Sequence, residues 1–123
     1  MDQKSNSFFF QVIGSFRFAA KGWFFFFQKP SNAWVHLMAT LFVCASGCYL
    51  GISRNEWIGI VLAVGLVFVA EMINSSIENL TDLVSPQYQE LAGKVKDLAA
   101  GAVLMAALIA VIIAGLIFLP RIC

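Results

Sequence analysis

Three apolar runs, separated by short polar segments, dominate the pattern of the chain. The first begins at Trp34 and carries no formal charge, and the second begins at Trp57 and stays uncharged to Val69. The third follows the charged pair Lys96 and Asp97. An apolar segment of about 20 residues is long enough to cross a bilayer as a helix. The pattern therefore predicts three transmembrane helices, at 34–52, 57–84 and 96–119. A polar loop at 85–95 precedes the last of them.

The first 33 residues have a different pattern, in which aromatic and basic residues are interleaved. Arg17, Lys21 and Gln28 fall within about 40° of one another on an ideal helix, and Phe and Trp residues cover most of the remaining surface. Basic residues combined with Phe and Trp are typical of helices that lie in the membrane interface. We therefore expect residues 1–33 to form an interfacial amphipathic helix, and residues 1–123 to form one all-α membrane domain.

The second apolar run ends in a polar face. Glu71, Asn74, Glu78 and Asp82 fall within about 80° of one another on an ideal helix. Glu71 lies about 21 Å along the helix from Trp57, near the far edge of the hydrocarbon core. Because carboxylates facing lipid are costly, this face needs protein, metal, water or substrate as its partner.

The composition agrees with a membrane protein. Hydrophobic residues make up 60% of the chain and charged residues 12%, whereas soluble domains carry roughly 25% charged residues. No basic cluster indicates nucleic acid as a partner, and the N-terminus lacks the pattern of a cleavable signal peptide, so we expect the chain to be the mature protein. Cys44, Cys48 and Cys123 form no C-x-x-C motif, which favours packing roles over a disulfide or a metal site.

The basic residues are distributed unevenly about the predicted helices. Of the eight lysines and arginines, only Arg54 and Arg121 fall on the side away from the N-terminus and the 85–95 loop. An excess of Lys and Arg marks the cytoplasmic side, so we expect the N-terminus and this loop in the cytoplasm. Three short helices enclose little interior, and the polar face therefore predicts a homo-oligomer.

The polar face favours phosphoryl transfer. Carboxylate and amide oxygens are the ligands that Mg²⁺ prefers, often together with substrate phosphates, and Lys96 beside Asp97 offers a positive charge for phosphate. Phosphoryl transfer depends on positioning, metal and positive charge. The chain has no Walker loop, and its one histidine, His36, fits an interfacial hydrogen-bonding residue better than a ligand. A purely structural network of acidic residues and loop lysines is the alternative.

The same residues resemble the signature of a family. The chain looks like the small bacterial integral-membrane lipid kinases, the diacylglycerol kinases and undecaprenol kinases, in Glu71-x-x-Asn74-x-x-x-Glu78-x-x-x-Asp82 and in Leu91-Ala92-Gly93-x-x-Lys96-Asp97-x-Ala99-Ala100-x-Ala102-Val103. The likeness extends over nearly the whole chain and includes Ser15-Phe16-Arg17-Phe18-Ala19, Lys21-Gly22, Asn32 and His36.

The resemblance implies a homotrimer in the bacterial cytoplasmic (inner) membrane, with active sites between protomers. It implies ATP and Mg²⁺, and direct transfer of the γ-phosphoryl group to the hydroxyl of a membrane lipid. Glu71 would be the catalytic base and Glu78 the Mg²⁺ ligand, while Asp82 and Lys94 would have supporting, structural roles. The residues that would line the ATP site are Phe18, Asn74, Glu78, Tyr88, Lys96 and Asp97.

One departure from the family pattern concerns the metal. The family has a second metal-binding Glu just before the first spanning helix, and Pro30 stands at that position. A catalytically impaired membrane scaffold of the same fold is therefore the alternative function. A small transporter or channel would need polar residues throughout the bilayer, whereas here they gather at one end. The wording of residues 77–103 looks closer to the undecaprenol kinases, and the choice between undecaprenol and diacylglycerol stays open.

Overall fold

The computed structural model describes residues 2–28 and 32–123, which form four helices: α1 (Asp2–Gln28), α2 (Asn32–Leu50), α3 (Arg54–Val84) and α4 (Glu90–Ile122). Helix α1 belongs to one compact unit, and α2, α3 and α4 form a second. Pro30, where the family pattern has a metal-binding Glu, lies outside the described residues.

Helices α2, α3 and α4 are each long and apolar enough to cross a membrane, with mean hydropathies of 1.5, 2.1 and 3.0 over an 18-residue window of each helix. Most of their large apolar side chains point outward. Leu62 of α3 and Val111 of α4, for example, are 67% and 68% exposed. Such a surface suits a lipid environment, where apolar side chains need no protein cover. The prediction of an all-α protein with three membrane-spanning helices is confirmed.

Helix α4 begins at Glu90, so it includes residues that the sequence assigned to the loop at 85–95. Gln89 has an extended backbone, with φ −138° and ψ 138°, and its carbonyl accepts the N–H of Gly93 at 3.1 Å. Hydropathy marks only the part of a helix that lies in lipid, and it does not register a polar turn in front of that part. At the other end, α4 continues through Pro120 to Ile122, since only the last turn loses a hydrogen bond there.

A tight turn joins α2 to α3. Gly51 has a positive φ of 63°, and the N–H of Ile52 bonds to the carbonyl of Gly47 at 3.2 Å, which is the closing pattern of a helix that ends at a glycine. Ser53 then caps α3 by accepting the N–H of Glu56 at 3.3 Å. A Cβ on Gly47 would lie 2.8 Å from the ring of Trp57, so glycine allows these two helices to approach closely.

The buried face of α3 is a single stripe. Its members follow one another every three or four residues and are Ile60, Ala63, Val67, Glu71 and Asn74. This spacing keeps one side of a helix turned toward its neighbours. The stripe starts in an apolar cluster with Ile52 and Ile117 and ends in two polar residues, so the same packing that holds the helices together positions the polar face.

An ion pair joins the start of α3 to the end of α4. Arg121 donates from Nη2 to Oε1 of Glu56 at 2.5 Å and from Nε to Oε2 at 3.2 Å. Ser53 also donates its hydroxyl to Oε1 of Glu56, at 2.9 Å. Two parallel bonds from a guanidinium to a carboxylate fix orientation as well as distance, so this end of the α3–α4 pair is firmly located.

Candidate active site

Glu71 and Asn74 form the buried centre of the candidate site. They are 2% and 6% exposed, and they are the buried polar residues of the described chain. Oε2 of Glu71 and Oδ1 of Asn74 have no hydrogen-bond partner among the described residues. A buried polar atom without a partner costs free energy. Two such atoms one helical turn apart indicate that a group outside the described chain completes this site.

Glu78 lies one turn beyond Asn74 on the same face of α3. The Nδ2 amide group of Asn74 donates to Oε1 of Glu78 at 3.3 Å. This bond turns the amide so that its oxygen, Oδ1, stays available, and it leaves Oε2 of the carboxylate without a bond from Asn74. In the described residues no group of three His, Cys, Asp or Glu side chains could hold a metal ion. Two oxygens nevertheless fit Mg²⁺, which commonly keeps water and substrate phosphates as its other ligands.

Asp82 and Lys96 connect the end of α3 to the first turns of α4. The ammonium group of Lys96 donates to Oδ1 of Asp82. The side chain of Lys96 is 40% exposed and that of Asp82 is 63% exposed. Solvent therefore screens the pair, and its contribution to stability is small. The outer end of the polar face of α3 therefore carries the ammonium group of Lys96. An anion that binds more strongly than Asp82 can replace Asp82 as its partner.

The remaining predicted site residues are Lys94, Asp97, Tyr88 and Phe18. Lys94 pairs with Glu90 of its own helix at 3.5 Å, and both side chains are exposed. Asp97 is exposed on α4, and Tyr88, in the connection between α3 and α4, is 93% exposed. Phe18 belongs to the separate unit of α1, where its ring lies 5.6 Å from the ammonium group of Lys21. The structure thus brings Glu71, Asn74, Glu78, Asp82 and Lys96 together along α3 and α4.

His36 also approaches the candidate site, a contact that the sequence interpretation did not predict. Its Nε2 lies 3.9 Å from Oε1 of Glu71, and its ring meets that of Phe68 edge to face, with centroids 6.3 Å apart. The contact joins α2 to α3 across 35 residues of sequence, which the spacing within either helix cannot reveal. In the sequence, the available signal was a lone histidine near the start of a predicted membrane helix.

The chain is similar in sequence to known proteins over most of its length. The sequence profile of the prokaryotic diacylglycerol kinases matches residues 17–118. The chain belongs to this family. The undecaprenol kinase of Bacillus subtilis (strain 168) is 37% identical over 107 residues, which cover 87% of each chain. The match to the prokaryotic diacylglycerol kinase family thus includes the candidate site and nearly all of the three apolar helices.

Two further relatives are named diacylglycerol kinases rather than undecaprenol kinases. The diacylglycerol kinase of Synechocystis sp. is 36% identical over 110 residues, or 89% of this chain and 63% of the relative. That of Escherichia coli (strain K12) is 35% identical over 75 residues, or 61% of this chain and 62% of the relative. The chain spans less than two thirds of each of these two relatives. It is a lipid kinase by family, and the two names leave the acceptor lipid open.

Proposed function

We propose that the protein is an ATP- and Mg²⁺-dependent kinase that transfers the γ-phosphoryl group directly to the hydroxyl of a membrane lipid, undecaprenol or diacylglycerol. The observation that carries the proposal is the buried pair Glu71 and Asn74, each with an oxygen that has no partner among the described residues. They lie on a helix face that continues to Asp82, the partner of the Lys96 ammonium group. A buried acid suits proton transfer, and the outer part of the face suits a charged phosphate.

Glu71 acts as the general base in this proposal. Its carboxylate is 2% exposed, and Oε2 has no partner among the described residues. It takes the proton of the lipid hydroxyl, whose oxygen forms the new bond to the γ-phosphorus while the bond from that phosphorus to the leaving oxygen of ADP breaks. A base that lies within the apolar part of the helix meets the hydroxyl at the depth where a lipid presents it.

Glu78 binds the metal, and Asn74 assists it from the same face. Oε2 of Glu78 and Oδ1 of Asn74 are hard oxygen donors on successive turns. Mg²⁺ held by these oxygens would supply positive charge that stabilises the transferred phosphoryl group. The protein contributes position, because Asn74 is buried and its amide is fixed by the bond to Glu78.

The nucleotide lies along the outer part of the site. Lys96 provides the charge for its phosphates, with Asp97 beside it, and Asp82 holds Lys96 until the nucleotide arrives. Tyr88 and Phe18 are proposed to contact the nucleotide as well, and Lys94 supports the start of α4 through its pair with Glu90. These roles follow the family pattern, and the exposure of Tyr88 and Phe18 leaves both rings accessible.

The working form is proposed to be a homotrimer in the bacterial cytoplasmic membrane, with the N-terminus in the cytoplasm and α1 lying in the interface. Six of the eight basic residues support this orientation, since only Arg54 and Arg121 fall on the other side. The unpartnered oxygens of Glu71 and Asn74 support a site that further copies complete. Exposed rings on α1, such as those of Phe8 and Phe16, support its contact with lipid.

Pro30 motivates the alternative, a catalytically impaired scaffold of the same fold. Proline has no side-chain oxygen and cannot replace a metal-binding carboxylate. If that carboxylate limits activity, Pro30→Glu would raise turnover or Mg²⁺ affinity. An unchanged response would mean that Glu78, Asn74, water and the phosphates are sufficient.

The deciding experiment incubates the purified protein in lipid–detergent micelles with γ-labelled ATP and Mg²⁺. Diacylglycerol and undecaprenol are offered separately and in competition, and labelled lipid is measured. Label on either lipid, lost when EDTA removes Mg²⁺, would support the kinase and identify its acceptor. No label on either lipid, from protein that is folded and correctly assembled, would favour the scaffold.

A further inference from the structure

The family resemblance includes His36 but gives it no role, and the polar face of α3 does not include it. It stands on α2, and its Nε2 approaches Oε1 of Glu71 to 3.9 Å. The imidazole is 22% exposed, whereas the carboxylate is 3% exposed. It is therefore the group through which the buried acid meets the partly open side of the helices.

The imidazole of His36 has largely apolar surroundings. The ring of Phe68 holds it edge to face, and it stands at a groove of about 250 Å³ whose other walls are almost entirely apolar. The groove contains one further polar side chain, Thr40, whose hydroxyl is already bonded to the backbone carbonyl of His36 at 2.7 Å. Glu71 is thus the polar group to which Nε2 turns.

The two oxygens of Glu71 have different surroundings. Oε1 faces His36 at 3.9 Å, and Oε2 is buried without a partner among the described residues. A distance of 3.9 Å exceeds a hydrogen bond, but contacts of this kind are commonly long before substrate binds and shorten in the reacting complex.

We propose that His36 is a positioning residue for the phosphoryl transfer. Its Nε2–H donates to Oε1 of Glu71 and so directs Oε2 toward the lipid hydroxyl, whose proton Oε2 accepts. Because a carboxylate can rotate, a donor on one oxygen determines where the other oxygen points. The inference rests on the proposed function, and it adds an orienting group from α2 to a site otherwise built on α3 and α4.

The test compares two substitutions that differ in one property. His36→Gln keeps an N–H donor at a reach similar to that of Nε2, and His36→Leu keeps comparable bulk without a donor. We expect His36→Leu to lower kcat about 10- to 100-fold, in line with the cost of misplacing a catalytic group by about 1 Å, with an unchanged KM for ATP. His36→Gln is expected to keep most of the kcat. Thr40→Val, in the same groove, is the matched control and is expected to behave as wild type.

A double-mutant cycle separates positioning from packing. In a Glu71→Gln background there is no base to orient, so adding His36→Leu is expected to leave the residual rate unchanged. A further loss in that background, or equal losses in His36→Leu and His36→Gln, would overturn the proposal in favour of a packing role.

The failure of this proposal is distinguishable from failure of the proposed function. A wild-type protein that labels no lipid removes the proposed function. A wild-type protein that labels lipid, beside a His36→Leu variant of equal kcat, removes only the role of His36. If His36→Leu does not fold, His36→Met replaces it in the same comparisons.

Discussion

Replacing Glu71 by glutamine separates catalysis from stability at the centre of the site. Glutamine has nearly the same shape but cannot accept a proton, so Glu71→Gln is expected to lose the contribution of a general base. That contribution is typically about 10²- to 10⁴-fold in rate. The free energy of unfolding is expected to change little, although the residue is 2% exposed.

The expectation for stability follows from two opposed terms. His36 Nε2 lies 3.9 Å from Glu71 Oε1, which exceeds a hydrogen bond, so the contact contributes less than the ~1.5–3 kcal/mol of a hydrogen bond to a charged group. Burying the carboxylate costs several kcal/mol. Glutamine removes both terms, because it carries no charge. The remainder is expected to be no more than about 2 kcal/mol, with either sign.

The assay pairs lipid phosphorylation with reversible unfolding in detergent, followed by tryptophan fluorescence. Glu71→Asp is the companion variant, because it keeps the charge but withdraws the carboxylate by about 1.5 Å and is also expected to be slow. Wild-type turnover in Glu71→Gln would refute the role of base. Loss of both activity and folding would instead identify Glu71 as a structural residue.

Two further predictions concern the outer site and the α2–α3 turn. Asp82→Asn frees Lys96 from an exposed pair worth no more than about 1 kcal/mol, so the KM for ATP is expected to fall by at most about fivefold; a rise would show that Asp82 holds Lys96 in its working position. Gly47→Ala places a Cβ 2.8 Å from Trp57 and is expected to destabilise the protein by about 1–3 kcal/mol. Gly59→Ala meets its nearest side chain at 3.5 Å and is expected to be neutral or stabilising by up to about 1 kcal/mol. Equal unfolding midpoints for the two alanine variants would contradict the account of the turn.

The membrane helices could be predicted because hydropathy acts over whole segments. Some of their ends could not, because these depend on local hydrogen bonds. The first turn of α4 rests on the bond from Gly93 to Gln89, in a stretch whose polar residues indicate a loop. The Ser53-x-x-Glu56 spacing is a capping signal that the sequence did contain, and it starts α3 before Trp57.

The candidate site was predictable only where its residues share one helix. Glu71, Asn74 and Glu78 follow helical spacing, and the structure places them on one face. The approach of His36 to Glu71 and the pairing of Arg121 with Glu56 join positions far apart in sequence. Such contacts depend on how the helices pack, and a single sequence carries no periodic signal of that packing.

The two ion pairs between α3 and α4 have a mechanical consequence. Glu56 and Arg121 form an ion pair at one end of the two helices, and Asp82 and Lys96 form another at the other end. A phosphate that binds Lys96 would break the ion pair with Asp82, whereas the bidentate pair of Arg121 and Glu56 would remain. Residues 85–89 still join α3 to α4 at the end where nucleotide is proposed to bind, so Lys96 could exchange Asp82 for a phosphate while the two helices stay together.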